Sequence, residues 1–302
     1  ASGESYGVEQ MKEVVHHAGA RGIDVIPVVS TLGHAEQFLK HPQLAHLSET
    51  RGGVGGRFGP GLNHVFCPSQ KGTYEFFRNY LAEIGSLFPS PYFHVGCDET
   101  WDIACCDLCR ERLLQGESQA DIYAGHLIDI HRIVAGALGK RMIIWDDMFE
   151  FYPEALEKLP RDVIMACWQY HDQVDEARGH FFNRLAWDSL AKYDRLGFEY
   201  LICPSDYGRT IHNAESFTAY GAEHRPLGGL MTTWEKSDSF LLQSMPLLAC
   251  VGRLWESGMV QSCDQILKSV VAGIFGANDD VFYLAIKAIC GSGISQERRT
   301  AL

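Results

Sequence analysis

The sequence predicts an α/β fold with a parallel sheet, because strand-like and helix-like segments alternate along most of the chain. Six short apolar segments, rich in β-branched and aromatic residues, are separated by segments with apolar residues at helical spacing. Such alternation is typical of parallel strands covered by helices. No GxGxxG or GxxxxGKS/T pattern follows any strand, which disfavours a nucleotide-binding doubly wound sheet. We therefore predict a (β/α)8 TIM barrel, with its first two strands lacking in this chain.

The predicted elements follow in a regular order. A helix at 5–20 precedes a β-branched strand at 24–31, and a glycine-rich segment then extends to about residue 70, which is typical of a functional loop or lid. The further helix and strand pairs are 71–87 with 91–96, 119–138 with 141–148, 153–158 with 163–170, 181–195 with 198–207, and 213–222 with 227–234. Helices are predicted for about 250–302. Without a linker or a shift in composition, we predict a single catalytic domain over 1–302, N-terminally incomplete.

Charge and composition exclude several classes of partner. Because the net charge is −12, we do not expect nucleic acid or an anionic membrane as a partner. No apolar run approaches the ~20 residues that span a bilayer. The first residues lack the pattern of a signal peptide, although a leader preceding them stays open. Ten cysteines without framework spacing favour a reducing compartment, and hence a cytoplasmic location.

Three of these cysteines, Cys105, Cys106 and Cys109, form a cluster. A structural zinc site usually has four ligands, and the upstream candidates are His94, inside a predicted strand, and Cys97. A single CxxC without a matching pair is a weak zinc signal. We therefore expect small, half-buried side chains at the start of a helix, and we predict no metal and no cofactor.

The stretch YFHVGCDETW (92–101) carries the most chemistry. Asp98 and Glu99 stand side by side where a predicted strand ends, and catalytic groups of α/β barrels lie at that edge. Adjacent carboxylates repel one another, so the pair suggests chemistry that needs one protonated and one charged acid. The alternative is a helix N-terminus, where the helix dipole favours acidic side chains.

A tryptophan stands at the end of three of the six predicted strands, although the chain has only six tryptophans. These are Trp145, Trp168 and Trp234. One such residue would be ordinary packing, but aromatic walls converging with acids on one face suit a sugar ring.

These residues carry a resemblance to a known family. The segment HVGCDE (94–99) resembles the H-x-G-x-D-E motif of glycoside hydrolase family 20, the β-N-acetylhexosaminidases. The segment at 25–41 is similar to that family's third barrel strand, which closes on a glycine–histidine pair. WDDM (145–148) and TTWEKSD (232–238) are most similar to its hexosaminidase D branch. The resemblance covers about residues 5–245 and implies a retaining exo-β-N-acetylhexosaminidase that removes terminal GlcNAc or GalNAc from a glycan.

The resemblance also implies roles for the acid pair. In this family the nucleophile is the substrate's own 2-acetamido oxygen, a departure from the plan of two separated carboxylates. Glu99 would be the general acid and then the general base, and Asp98 would orient the acetamido N–H and stay ionised.

Further sugar-binding roles follow from the same resemblance. The acetamido methyl would be enclosed, and the floor of the sugar site formed, by Trp145, Trp168 and Trp234. His34 would support the general acid, or alternatively it is an ordinary hydrogen-bonded loop histidine. The seventh strand departs from the family's Tyr-x-Asp pattern and reads Ser-Asp-Tyr, so Asp206 and Tyr207 are its candidates. Glu235 or Asp238 would bind hydroxyls, with Glu235 favoured. His94 is expected to pack at the strand, and the family's first-strand arginine has no counterpart here.

Two other functions stay open at this point. A sugar-binding protein of the same fold would bind without turnover. A metal-dependent hydrolase would use His34, Asp98 and the cysteines, and it would lose activity with a chelator. The sequence does not predict the epimer preference, the natural glycan or the oligomeric state.

Overall fold

Parallel strands separated by helices follow one another in the predicted order. The computed structural model describes residues 6–56, 64–177, 188–206, 210–233, 244–258, 263–277 and 279–290. The strands are β1 (Tyr92–His94), β2 (Arg141–Trp145), β3 (Ile164–Trp168), β4 (Glu199–Cys203) and β5 (Gly228–Gly229). An α/β fold with a parallel sheet is confirmed, and the closed barrel stays a prediction.

The described helices are α1 (Val8–Gly19), α2 (Glu36–Leu39), α3 (Lys71–Leu87), α4 (Asp107–Leu114), α5 (Gln119–His131), α6 (Pro153–Lys158), α7 (Val174–Ala177), α8 (Ser189–Leu196), α9 (Thr210–Ala222), α10 (Met245–Glu256), α11 (Cys263–Phe275) and α12 (Asp280–Cys290). A π-helical turn, Arg132–Ala137, continues α5. The helices predicted at 5–20, 71–87, 119–138, 153–158 and 213–222 are confirmed to within three residues at their ends, with the π-helical turn after α5 included. Of the helix predicted at 181–195, residues 181–187 lie outside the described residues. The described helices also include α2 and α7, which the sequence did not predict.

The chain divides into two compact units, Ala1–Met165 and Ala166–Leu302, and the division falls within β3. The single catalytic domain over 1–302 stays a prediction. In the first unit β1 pairs in parallel with β2, with His94 opposite Ile143. Phe93, Val95 and Ile144 are fully buried, as expected of parallel strands that are covered on both faces.

The predicted strand at 24–31 is reduced to a bridge between Val28 and His94. The N–H of Val29 donates to the His94 carbonyl at 2.9 Å, and the His94 N–H donates to the Pro27 carbonyl at 2.9 Å. Pro27 has no N–H to give to the ladder. The segment therefore runs beside β1 as an edge without forming a full strand.

The predicted loop between His34 and residue 70 is more ordered than its glycines indicate. It contains α2, and its apolar side chains Leu39, Leu47 and Phe66 are buried. The Phe66 ring lies 4.8 Å from that of Phe77 on α3. Apolar residues between the glycines thus join the core of the first unit, while residues 57–63 lie outside the description.

In the second unit β4 pairs in parallel with β5, and a bridge between Ser205 and Thr232 extends the pairing. The strand β5 is short, and a Cβ on Gly229 would lie 2.2 Å from the ring of Trp255. Glycine is therefore required there for α10 to pack on the strand.

The helices α10 to α12 form their own apolar core in this unit, built around Leu254, Leu267 and Ile286. Across the described ranges, no single helix is long and apolar enough to cross a membrane. The pair Gln265–Phe275 and Asp280–Ile289, bent by 107°, has the length and composition of a broken span.

Candidate active site

The acid pair lies in a tight segment directly after β1. The backbone is left-handed at Gly96 (φ 69°), Cys97 (φ 75°) and Glu99 (φ 45°). Left-handed conformations cost non-glycine residues about 1–3 kcal/mol each, and such residues concentrate at functional sites. The next helix, α4, begins only at Asp107. The pair therefore does not cap a helix, and the helix-dipole alternative is wrong.

Three hydrogen bonds hold this segment in place. The carboxylate of Asp147 accepts the backbone N–H of Glu99 at 2.9 Å. The N–H of Trp145 donates to the Gly96 carbonyl at 3.1 Å, and the hydroxyl of Tyr123 donates to the Cys97 carbonyl at 3.1 Å. Asp147 is completely buried. The end of β2 and the helix α5 thus impose the strained geometry of the acid pair.

A close backbone approach brings His34 to the same place. A Cβ on Gly33 would lie 2.1 Å from the Asp98 carbonyl oxygen, so only glycine fits between the two segments. His34 itself adopts a left-handed conformation with φ 53°. This turn directs its imidazole toward the acids.

The imidazole of His34 contacts both carboxylates. Its Nε2 lies 3.3 Å from Asp98 Oδ2 and 3.3 Å from Glu99 Oε2. The hydrogen bond with Asp98, followed by that with Glu99, raises the pKa of His34 to about 10. The protonated ring therefore places a positive charge against both carboxyl groups. This charge offsets the repulsion that adjacent carboxylates would otherwise suffer.

The two acids differ in their access to solvent. The side chain of Asp98 is 14% exposed and that of Glu99 is 34% exposed. Glu99 can therefore meet an arriving group more readily, while Asp98 is held deeper. This division matches the requirements of a proton donor beside a charge that orients the substrate.

A buried polar chain supports the segment from behind. The hydroxyl of Thr31 donates to the Val95 carbonyl at 3.0 Å and lies 3.4 Å from His126 Nε2. The Tyr74 hydroxyl lies 3.4 Å from His126 Nδ1. Burial lowers the pKa of His126 to about 3, so this ring is neutral. The chain therefore satisfies buried polar groups without adding charge behind the acids.

His94 packs at the strand, as predicted. Its Nδ1 accepts the Gly96 N–H at 3.1 Å, and its ring lies 4.5 Å from that of Trp145. Burial lowers its pKa to about 4. Its role is therefore structural: it fixes the turn into the acid segment and backs the indole of Trp145.

In the second unit the structure describes two of the other candidates. Trp168 ends β3, with its ring 4.9 Å from that of Tyr170. Asp206 is only 4% exposed, and its carboxylate accepts the Ser244 hydroxyl at 2.6 Å. Tyr207, Trp234, Glu235 and Asp238 lie outside the described residues. The structure thus brings together His34, Asp98 and Glu99, with Trp145 bonded to the same segment.

Sequence reasoning assigned no role to Asp147, which holds Glu99 in position. The available signal was the second acid of WDDM, at the end of a predicted strand.

The sequence also did not indicate which residues lie close to the cysteines in the folded chain. Two groups of described side chains place their ligand atoms within 4.8 Å of one another: Glu49, Cys67, Cys106 and Cys109, all buried, and His34, Glu36 and His64, of which two are exposed.

Comparison with known proteins gives a family match. The family model described as glycosyl hydrolase family 20, catalytic domain, matches residues 1–189. That range includes the His34, Asp98 and Glu99 cluster and covers more than half of the chain.

Similar curated proteins include two named hexosaminidase D. The Homo sapiens protein is 26% identical over 304 residues, covering 90% of this chain and 58% of the relative. The Bos taurus protein is 30% identical over 213 residues, covering 67% of this chain and 56% of the relative. The chain thus spans little more than half the length of these relatives.

A solved structure shares the fold. The chitobiase of Flavobacterium johnsoniae aligns with a TM-score of 0.64 at 17% sequence identity, covering 96% of this chain and 45% of the chitobiase. At this identity the likeness concerns the fold alone.

Proposed function

Because this chain belongs to glycosyl hydrolase family 20, we propose that it carries the reacting carboxylates of a retaining exo-β-N-acetylhexosaminidase. The substrate is a glycan or glycoconjugate that ends in GlcNAc or GalNAc. The observation that carries the proposal is the position of His34, 3.3 Å from both Asp98 and Glu99 in a strained segment after a strand. Strain and clustered charge at a strand end are features of catalytic sites.

Glu99 acts as the general acid in the first step. It donates its proton to the glycosidic oxygen while the substrate's 2-acetamido oxygen attacks the anomeric carbon, which expels the leaving group. In the second step Glu99, now a carboxylate, takes a proton from water as the water opens the oxazolinium intermediate. The greater exposure of its side chain supports this role.

Asp98 orients the acetamido group and stabilises the positive charge that develops on it. The deeper position of this carboxylate supports the assignment, since a charge in a drier environment acts more strongly on its neighbour. His34 offsets the mutual repulsion of the two acids and holds them at a common distance. Asp147 holds the backbone of Glu99.

The remaining sugar contacts are proposed from the resemblance of the sequence to the family. Trp145 and Trp168 would provide apolar walls, with Trp234 as a third; Tyr207 would bind the acetamido carbonyl, and Asp206 and Glu235 the hydroxyls. In the described structure the Asp206 carboxylate accepts a hydrogen bond from the Ser244 hydroxyl at 2.6 Å. We also propose that the whole protein forms a (β/α)8 barrel. Nine cysteines are free of disulfides in the described part, which supports a reducing, cytoplasmic location.

Hydrolysis of three aryl glycosides by this chain tests the proposed function. We expect nitrophenol release from the β-GlcNAc and β-GalNAc derivatives, and their ratio gives the epimer preference. The β-glucoside lacks the acetamido nucleophile and should react slower by several orders of magnitude, because an attached nucleophile has a very high effective concentration. Comparable turnover of the glucoside would contradict substrate assistance. Sugar binding by a folded chain without turnover of any glycoside would favour the carbohydrate-binding alternative.

A further inference from the structure

Three thiols and one carboxyl group from separate parts of the first unit meet in its interior. Cys67 lies just before α3, Cys106 directly precedes α4, and Cys109 lies in the first turn of that helix. Glu49 comes from the segment that follows α2. All four side chains are buried, and their ligand atoms lie within 4.8 Å of one another.

The distances from Cys67 Sγ to the other two sulfurs are close to those around a tetrahedral metal ion. Cys67 Sγ lies 3.4 Å from Cys106 Sγ and 3.7 Å from Cys109 Sγ. Zinc with Zn–S bonds of about 2.3 Å places two of its sulfurs about 3.8 Å apart in tetrahedral geometry. The Cys109 thiol donates a hydrogen bond to Glu49 Oε1 at 2.8 Å, so the carboxylate lies beside the three sulfurs.

A disulfide does not account for the cluster. Bonded sulfurs lie about 2.05 Å apart, and these cysteines are free. A disulfide would also join only two of the three thiols and leave the third buried beside a carboxyl group. Burial of a charged carboxylate beside three thiols is costly unless hydrogen bonds or a cation offset its charge.

The surrounding groups orient the four side chains. The backbone N–H of Cys106 donates to Glu49 Oε2 at 2.9 Å, which leaves Oε1 directed at the sulfurs. The Ser69 hydroxyl lies 3.0 Å from Cys109 Sγ, and the Arg51 guanidinium donates to Cys106 Sγ at 3.4 Å. Such outer contacts are typical of structural metal sites, where they fix the ligands and balance their charge.

We propose that Glu49, Cys67, Cys106 and Cys109 bind one structural Zn²⁺ ion in a Cys3Glu site. Zinc takes thiolate and carboxylate ligands in this number and geometry, and four protein ligands leave no open position for substrate. The three thiols release their protons when the ion binds. The ion and Arg51 then offset three of the four negative charges that the thiolates and the carboxylate carry.

The ion would stabilise the segments on either side of the acid cluster. Glu49 and Cys67 belong to the chain after His34, and Cys106 and Cys109 belong to the chain after Glu99. A shared ion would therefore link the chain segments that follow His34 and Glu99 at one buried point. This inference depends neither on the proposed activity nor on its residues, and its failure would leave that proposal unaffected.

The test is the metal content of the chain, purified without chelators from medium containing zinc and shown to be folded by circular dichroism. We expect about one zinc per chain. After removal of zinc, Co²⁺ should give a thiolate-to-cobalt charge-transfer band and the visible spectrum of a tetrahedral site. The variant Cys67→Ser should lose the band and bind zinc at least roughly 100-fold more weakly, since even losses outside the ligand shell cost 10- to 100-fold.

The neighbouring Cys105→Ser provides the matched control. Its thiol donates to the Glu49 backbone carbonyl at 3.5 Å and is not one of the four ligands, so this variant should keep both the zinc and the cobalt band. A folded wild-type chain with no bound zinc and no cobalt band overturns the proposal, whether or not the variants fold. Equal loss of zinc in Cys105→Ser and Cys67→Ser, or stoichiometric iron or copper in place of zinc, overturns it as well.

Discussion

At the scale of single residues, His34 makes two adjacent carboxylates tolerable in one small site. Its imidazolium lies at the same distance from Asp98 and Glu99, so its positive charge offsets the electrostatic repulsion between the two acids. The ring is also positioned by a left-handed backbone conformation, φ 53°, which is uncommon for residues other than glycine. The residue therefore joins charge balance and geometry in one contact.

His34→Gln should change how the free energy of unfolding depends on pH. The pKa of His34 lies near 10 in the folded chain, above its ordinary value of 6.5. Its contribution to stability is therefore fully present below about pH 6.5 and is lost as the pH rises toward about 10. Urea unfolding at about pH 6, 8 and 10 should show a wild-type advantage over the variant that shrinks with rising pH. The exposed His41→Gln is the matched control, and a His34→Gln difference that is equal at all pH values would contradict the contact.

Asp147→Ala should lower kcat with little change in KM. Its carboxylate accepts the N–H of Glu99, and loss of this bond releases the strained backbone that aims the acid. Misplacement by about 1 Å can cost about 100-fold in rate, so a loss of that order is expected. Asp147→Asn keeps an acceptor oxygen and should retain most of the turnover. Equal impairment of the two variants would contradict a positioning role.

At the scale of elements, the approach of two strand ends creates the site. The segment after Val28 and the segment after β1 touch where Gly33 meets the Asp98 carbonyl. No other residue type fits at that distance. In the glycine–histidine pair, Gly33 permits the close approach of the two segments. That approach brings the imidazole of His34 to the acids.

Gly33→Ala should destabilise the chain by about 1–3 kcal/mol, because the added methyl overlaps a backbone oxygen that cannot move freely. Turnover should fall as well, since relief of the overlap shifts Asp98. Urea unfolding measures the first effect and aryl glycoside hydrolysis the second. Gly55→Ala, where a Cβ would meet nothing within 4 Å, should change stability by less than about 0.5 kcal/mol. Equal effects of both substitutions would contradict the close approach.

The sequence predicts the types and order of these elements better than their extents. α3 and α6 begin and end at the predicted residues, because amphipathic spacing and the Pro153 start signal are local. The strands at 24–31 and 227–234 are much shorter than predicted. Pro27, which has no N–H, limits the first, and Gly229 in the second packs against Trp255 on α10. A contact between residues as far apart as Gly229 and Trp255 is not visible in a local pattern.

At the scale of the whole molecule, the chain is a family 20 chain whose acid cluster lies within its first unit. The sequence indicated Asp98, Glu99 and His34 because their motifs mark strand ends. It did not indicate the support from Asp147, nor the proximity of Glu49 and Cys67 to the cysteines at the start of α4. Those groups are far apart along the chain, and only the folded backbone brings them together.

The central claim is that Glu99 transfers the proton in hydrolysis of an N-acetylhexosaminide. The most direct measurement is kcat for the aryl β-N-acetylhexosaminide that the wild type prefers, determined for Glu99→Gln and for Glu75→Gln, an exposed glutamate on α3. We predict that Glu99→Gln loses about 100- to 10,000-fold in kcat, the usual contribution of a general acid–base group. Glu75→Gln should keep the wild-type rate. Wild-type turnover by a folded Glu99→Gln chain would contradict the claim.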